Sequence, residues 1–404
     1  MGIKKNILII SYYYPPTESI ASKRLVAFSK YLDKRKYNIF VLTVTSNVPV
    51  SYDDDVNVYG VPDKNILPKA KFDKATNIYF HKLKALYNIF INTFFEEHSG
   101  WYKKAREKAS EIIEKHNIDL IISSYSPAAS HKVALDMKKK NPNIKWIADM
   151  RDEMSTNRYL TYVQRLKLTK LENKVLSLAD AITTVSKPIM EDFEKKASNK
   201  QCLFREIRNG YDFNIEPPMK YSGNQTFTIV YAGSFYGDIQ PTNFLKALEN
   251  LLDKNMLSIC VKFFGSMKPF FIAPKLKNKI TVFGKISHYQ VIEELKKADL
   301  LLLISPKNSR KGVYTGKLFE YLGLLRPILA LVPENDVASI LIQKSNIGYL
   351  VEYENIEGIE SKLLEAYTDW ESKKRIIPNL DIIEKHHRKE QVYRLEALIG
   401  DLLK

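Results

Sequence analysis

Residues 298–332 read ADLLLLISPKNSRKGVYTGKLFEYLGLLRPILALV. Two short apolar runs, 298–304 and 327–332, flank a polar middle. Each run has the length of a strand buried on both faces and falls far short of crossing a membrane. The middle carries basic residues, two glycines and then a helix-like segment, GKLFEYLG, at 316–323. A strand, a loop and a helix followed by a second strand form the repeating unit of an α/β domain. Gly312 and Gly316 let the backbone come close to a ligand. A helix that starts near Gly316 turns its unpaired amides and the positive end of its dipole toward whatever binds there. Lys307, Arg310, Lys311 and Lys317 add charge of the same sign, so the site suits an anion such as a diphosphate. Glu320 falls about one turn into the helix, where its carboxylate is able to accept two hydroxyl hydrogen bonds, as a ribose offers. Solvated basic loops are common in α/β units. This one stands out because glycines, lysine and glutamate meet at one strand C-terminus, the place where open sheets bind ligands.

Outward from this stretch the same alternation runs in both directions. Toward the N-terminus, strands are expected at 6–11 and 38–44, with a helix at 22–32 spaced by Leu25, Phe28 and Leu32. That βαβ start implies a parallel sheet with right-handed crossovers. Residues 48–68 read as irregular. Residues 78–95, IYFHKLKALYNIFINTFF, are aromatic, with Lys69, Lys71 and Lys74 before them and Lys82 and Lys84 on them. Such a helix either lies on an anionic membrane or caps the sheet or lines an acceptor groove. The alternation then continues through a helix at 101–115, a strand at 118–123, a helix from Ser126-Pro127 to Lys140 and a strand at 144–149. A long helix at 158–178, a strand at 181–185 and a helix opened by Ser186 as a cap follow. Asn-Gly, Pro-Pro and Ser-Gly within 207–223 mark a linker. Beyond it the layout restarts with a strand at 227–232 and a ligand-facing loop at 233–237. It then runs to strands at 258–264, 279–283 and 348–351 and helices at 243–252, 291–298, 338–344, 358–370 and 389–404. The expected organisation is a first Rossmann-like domain at 1–207 completed by a closing helix at about 386–404. A linker at 208–224 and a second such domain at 225–385 follow, and the two share a cleft.

Bulk properties bound the function. A chain of 404 residues exceeds one compact core. A hydrophobic share of 45% with 27% charged residues is that of a folded globular chain. The opening apolar run at 6–11 is too short for a secretion signal, which points to the cytoplasm. Cys202 and Cys260 stand far apart and read as reduced thiols. The formal charge of +16 calls for an anionic partner, yet the basic residues are scattered, which argues against nucleic acid. No Walker loop, no G-x-S-x-G elbow and no G-x-G-x-x-G fingerprint occurs, and the seven histidines show no metal-ligand spacing. Asp53-Asp54-Asp55 reads as a solvated turn, and His131 as a surface residue on its helix. The best acid/base cluster is Asp149, Arg151 and Asp152, directly after an expected strand. The same residues are equally able to form an ion pair that fixes the loop.

Taken in order, these pieces resemble a GT-B glycosyltransferase of the family-4 type, as found in bacterial capsule, O-antigen and exopolysaccharide synthesis. The resemblance rests on Tyr14-Pro15-Pro16 with Arg24, Asp119 through Ser126-Pro127, Asp149-Met150-Arg151-Asp152, Asn209-Gly210-Tyr211-Asp212, Ala232-Gly233-Ser234-Phe235 and Gly316-Lys317-Leu318-Phe319-Glu320. It implies transfer of a sugar from a nucleoside-diphosphate sugar to a glycan or polyprenyl-linked acceptor, with retention and without a metal or other cofactor. It further implies a place at the inner face of the cytoplasmic membrane. In such a protein Glu320 would take the ribose hydroxyls, and Thr315, Gly316 and Lys317 the diphosphate. Gly284, Lys285 and Ile286 would meet the base, and Gly233, Ser234 and Phe235 would open the donor loop. Three departures stand out. Thr17–Ala21 replaces the glycines usual after the first-loop prolines. Gly312 stands where a second glutamate is common. The basic pair usual after the first donor-domain strand is missing, and Lys307, Arg310 and Lys317 are the cations left to compensate. A non-hydrolysing nucleotide-sugar 2-epimerase and a non-catalytic nucleotide-sugar-binding subunit are the competing expectations.

Overall fold

The computed structural model describes residues 3–15, 21–45, 55–63, 98–157, 159–216, 225–235, 239–254, 257–266, 269–305 and 312–404. The chain divides into two compact units, Met1–Arg208 with Val392–Lys404, and Asn209–Gln391.

In the first unit seven parallel strands run in the order β3-β2-β1-β4-β5-β6-β7. They are β1 (Lys5–Ile10), β2 (Tyr37–Val44), β3 (Val56–Val61), β4 (Leu120–Tyr125), β5 (Lys145–Met150), β6 (Ala181–Thr184) and β7 (Leu203–Glu206). Helices α1 (Ser22–Tyr31), α2 (Ser99–His116), α3 (Ala128–Lys140), α4 (Tyr162–Leu178) and α5 (Lys187–Lys196) connect them. Ile7 and Ile9 of β1 face one apolar cluster, while Leu8 and Ile10 face the other. A run apolar at every position is what a sheet covered on both faces requires. The closing helix, α12 (Arg388–Leu402), puts Val392, Leu395, Leu398 and Ile399 into the cluster that holds Ile7 and Leu25. Their spacing of three and four places them on one helix face.

The second unit has six parallel strands in the order β10-β9-β8-β11-β12-β13. These are β8 (Phe227–Ala232), β9 (Ile259–Phe264), β10 (Ile280–Phe283), β11 (Leu300–Ile304), β12 (Ile328–Leu331) and β13 (Gly348–Val351). The helices are α6 (Thr242–Lys254), α7 (His288–Lys296), α8 (Gly316–Gly323), α9 (Val337–Lys344), α10 (Ile356–Glu371) and the short α11 (Leu380–Glu384). In both sheets the strand order reverses beside the first strand, between β1 and β4 and between β8 and β11. Ligands of doubly wound folds bind outside the carboxyl ends of the strands at such a reversal.

Several sequence expectations need correction. Residues 56–61, read as irregular, form β3, an edge strand paired with β2. Gly60 leaves room there for the Thr45 side chain, since a Cβ would lie 1.7 Å from Thr45 Cγ2 and force it to shift. The strand β7 at the other edge was also missed. Ser186 occupies the N-cap of α5, but its hydroxyl makes no capping bond and is buried without a hydrogen-bond partner among the described residues. His131 is fully buried rather than exposed. Residues 386–391 pack with the second unit, where the Tyr211 amide donates to the His386 carbonyl at 3.3 Å and the Arg388 amide to the Tyr211 carbonyl at 2.9 Å. The amphipathic stretch 78–95, the run 17–20, Asp53 and Asp54, residues 217–223 and Lys307, Arg310 and Lys311 lie outside the described residues. Among the described residues no helix is long and apolar enough to cross a membrane.

Candidate functional site

At the reversal in the second sheet, β8 and β9 both end in glycines with positive φ. Gly233 has φ +142° and Gly265 φ +134°. A Cβ on Gly265 would lie 2.4 Å from the Gly233 carbonyl oxygen, so the two backbones touch. A Cβ on Gly233 would lie 2.3 Å from Lys317 Cε and Nζ. The space that Gly233 leaves is filled by the Lys317 side chain from α8. Its ammonium donates to the Tyr231 hydroxyl at 2.6 Å and stands 4.1 Å from the centre of the Tyr231 ring. Burial pushes the Lys317 pKa down to about 7, with the Glu320 charge opposing. We expect Gly265→Ala to cost about 1–3 kcal/mol of stability, because the alanine must hold a strained φ beside a fixed carbonyl. Urea unfolding of the variant against the parent chain reads that difference.

The start of α8 is held from two sides. The Gly312 amide donates to Asp336 Oδ1 at 2.7 Å, and Gly312 itself has φ +91°. The Tyr321 hydroxyl accepts from the Ala232 amide at 3.1 Å, which ties the helix to the end of β8. Thr315 is the N-cap residue, yet its side chain makes no capping bond, and its buried Oγ1 has no hydrogen-bond partner among the described residues. The amides of Gly316 and Lys317, the first two of the helix, have no intrahelical acceptor. A Cβ on Gly316 would meet nothing within 4 Å among the described residues, so the side of the helix start at Gly316 is open there. One turn further, Glu320 Oε1 lies 2.8 Å from His288 Nε2, with the carboxylate 17% exposed and the imidazole 51% exposed. Cation, free amides and a reachable carboxylate therefore lie within a turn of each other at one helix tip.

In the first unit, Asp149 at the end of β5 is fully buried. Arg24 donates to its oxygens from Nη2 at 2.8 Å and from Nε at 3.0 and 3.2 Å. Ser124 adds a bond of 2.8 Å and Thr183 one of 2.7 Å. Burial alone would raise the Asp149 pKa, but Arg24 and the two hydroxyls outweigh it and hold the carboxyl below its ordinary value. Arg151 donates to the carbonyls of Tyr125 at 2.6 Å, Ala21 at 2.7 Å and Ser126 at 3.0 Å. Asp152 stays 61% exposed, with Arg151 Nε 3.7 Å away. His131 bonds Ser123 Oγ through Nδ1 at 2.7 Å, and burial pushes its pKa down to about 4.

No protein-family model and no curated protein matches the sequence. Solved structures do match in shape. HepE from Anabaena, solved in complex with UDP, aligns over 99% of this chain and 100% of its own at 12% identity, with a TM-score of 0.60. The lipopolysaccharide outer core galactosyltransferase WaaB aligns over 98% and 99% at 12% identity, with a TM-score of 0.56. A putative UDP-N-acetylglucosamine 2-epimerase from Listeria monocytogenes aligns over 98% and 96% at 11% identity, with a TM-score of 0.53. The fold is GT-B. At these identities the likeness extends to the fold alone.

On the GT-B frame the anticipated residues fall into four groups. Gly233, Thr315, Gly316, Lys317 and Glu320 gather around the tip of α8, and Ser234 is exposed beside them in sequence. Gly284 and Lys285 are exposed on the loop before α7, and a Cβ on Gly284 would meet nothing within 4 Å. Phe235 and Ile286 face the other way. Phe235 is a core residue stacked on Tyr231 with ring centres 4.6 Å apart, and Ile286 packs against the cluster beneath α8. The trio Asp149, Arg151 and Asp152 does not converge, since Asp149 is spent on Arg24 and Arg151 on backbone carbonyls. Tyr231, Gly265, His288, Tyr321 and Asp336 were missed. Tyr231 reads as one more apolar strand residue, and only the fold brings it under Lys317.

Proposed function

We propose that this protein is a glycosyltransferase that moves a sugar from a nucleoside-diphosphate sugar to a glycan acceptor in surface-polysaccharide synthesis. The observation that carries this reading is the Lys317 ammonium beside the unpaired amides of α8, at the sheet reversal and one turn before Glu320. Amides and ammonium supply the positive charge that a diphosphate needs, both when bound and when it departs with the electrons of the glycosidic bond. We assign transfer without a metal, because this charge stands where a metal would otherwise act, and with retention on the resemblance to family-4 glycosyltransferases. Glu320 takes ribose hydroxyls, with His288 orienting the carboxylate. Asp149 anchors Arg24, and together they shape the first-unit loops that face the acceptor, while Asp152 is the carboxylate left for proton transfer. The net charge of +16 favours an acceptor carried by an anionic lipid surface, with the protein bound at its periphery.

The direct test is to incubate the protein with UDP-, GDP- and dTDP-sugars, with and without a polyprenyl-linked glycan, and to follow free nucleoside diphosphate. Release that depends on acceptor is the expected result. Conversion of the donor in the absence of acceptor would make the protein an epimerase. Binding without turnover on any acceptor would leave it a binding subunit. Anomeric NMR of the product reports whether the configuration is retained.

A further inference from the structure

We propose that Lys317 takes up a proton from solvent as the diphosphate of a nucleotide sugar binds, so that donor binding in this protein is coupled to protonation. This rests on the donor-site reading above and goes beyond it. The argument starts from how Lys317 is held. Its amine is enclosed by the Gly233 backbone and the Tyr231 ring, and its hydrogen bond goes to a neutral phenol oxygen. Among the described residues no carboxylate lies within ion-pair distance of it. Glu320, one turn along the same helix, is engaged instead with His288 of α7. The groups that face it from β8 and the turn after it are the Tyr231 phenol and the backbone of Gly233. The helix that carries it directs its positive end the same way. A half-buried ammonium beside a positive dipole, with no carboxylate among the described residues to pair with it, loses stability relative to the neutral amine.

That balance lies near neutrality, with the Lys317 pKa lowered to about 7. A bound diphosphate adds two negative charges at the same helix tip and reverses the preference. The amine lone pair then accepts one proton from bulk water, and no covalent bond in the donor changes. The sign follows directly. Below the lowered pKa the lysine is already charged and binding is tightest. Above it each donor must bring in a proton, and affinity falls as pH rises. Tyr231 is the positioning residue, since its hydroxyl and ring fix the amine over the site.

The test is isothermal titration of the full-length protein with UDP-glucose, GDP-mannose and dTDP-glucose, each in phosphate and in Tris. The donors are phosphate diesters that do not titrate near neutrality, so any proton exchanged belongs to the protein. For the donor that binds, the difference in heat between buffers should show uptake of about half a proton near pH 7 and close to one near pH 8. The Kd should weaken about 50-fold between about pH 7 and pH 9. Lys317→Arg, which stays charged throughout, should remove both effects. His288→Gln should keep the uptake, whatever its affinity, because the proton goes to the lysine. Should the arginine not fit the enclosed space, ¹³Cε NMR of lysine-labelled parent protein reads Lys317 directly, free and with donor. Binding with no proton uptake, or uptake lost in His288→Gln and kept in Lys317→Arg, overturns the inference and leaves the donor site standing. Failure of all three donors to bind overturns the donor site and this inference with it.

Discussion

Asp149→Ala is expected to cost the first unit about 3–5 kcal/mol, enough to unfold a marginal domain. The reason lies in what remains. Arg24 is as buried as Asp149, with side-chain exposures of 3% and 0%. Without the carboxylate its guanidinium, which also donates to the Arg208 carbonyl at 3.1 Å, loses the buried anion that its charge is set against. The hydroxyls of Ser124 and Thr183 lose their acceptor as well. A buried charge left alone is far more damaging than an ion pair is stabilising. The same pair gives a pH dependence. The folded-state pKa of Asp149 lies below its unfolded value, so its contribution is fully present above the unfolded value and is lost as pH falls through the folded one. Chemical denaturation of the parent chain and of Asp149→Ala at neutral and acid pH should show the two curves converging as pH falls. A variant as stable as the parent at neutral pH would show that Arg24 finds another partner and would restore Asp149 as a candidate for direct chemistry.

Lys317→Ala should lower turnover by about 100- to 1,000-fold, the cost of removing one fixed charge from a departing anion. Stability should change little or rise, because the lysine is a half-buried cation with no carboxylate partner and the alanine removes that burden. Thermal unfolding and steady-state kinetics on the same preparation separate the two effects. Near-normal turnover would remove the lysine from the mechanism and move the burden to the amides of α8.

The two predictions differ in how far the sequence foretold them. For the second, the stretch around 298–332 placed the strand, the helix start at Gly316 and both Lys317 and Glu320 on local grounds. A run of five buried residues, a glycine at the helix start and a carboxylate one turn on are properties of neighbours in the chain. Strands buried on both faces were legible for the same reason, since every position must be apolar. The two edge strands of the first sheet were not, although those of the second, at 280–283 and 348–351, were. Residues 56–61 and 203–206 are half solvated, so polar residues are tolerated there and no apolar run marks them.

For the first prediction the sequence offered a cluster and no means of choosing. Asp149 is a base or an anchor depending on whether Arg24, 125 residues away, reaches it. Only the pairing of β4, β5 and β6 brings Ser124 and Thr183 alongside Asp149, the arrangement on which the anchor reading rests. His131 misled for a related reason: its helix has a wet side and a dry side, and a single polar residue does not say on which it lies. The local alternation of strands and helices, then, was written in the chain, because hydrogen bonding and burial of one element are short-range matters. Which charges meet, and hence whether Lys317 is paired or alone, was decided by the tertiary structure, because a charge is tuned by groups that no spacing along the chain brings together.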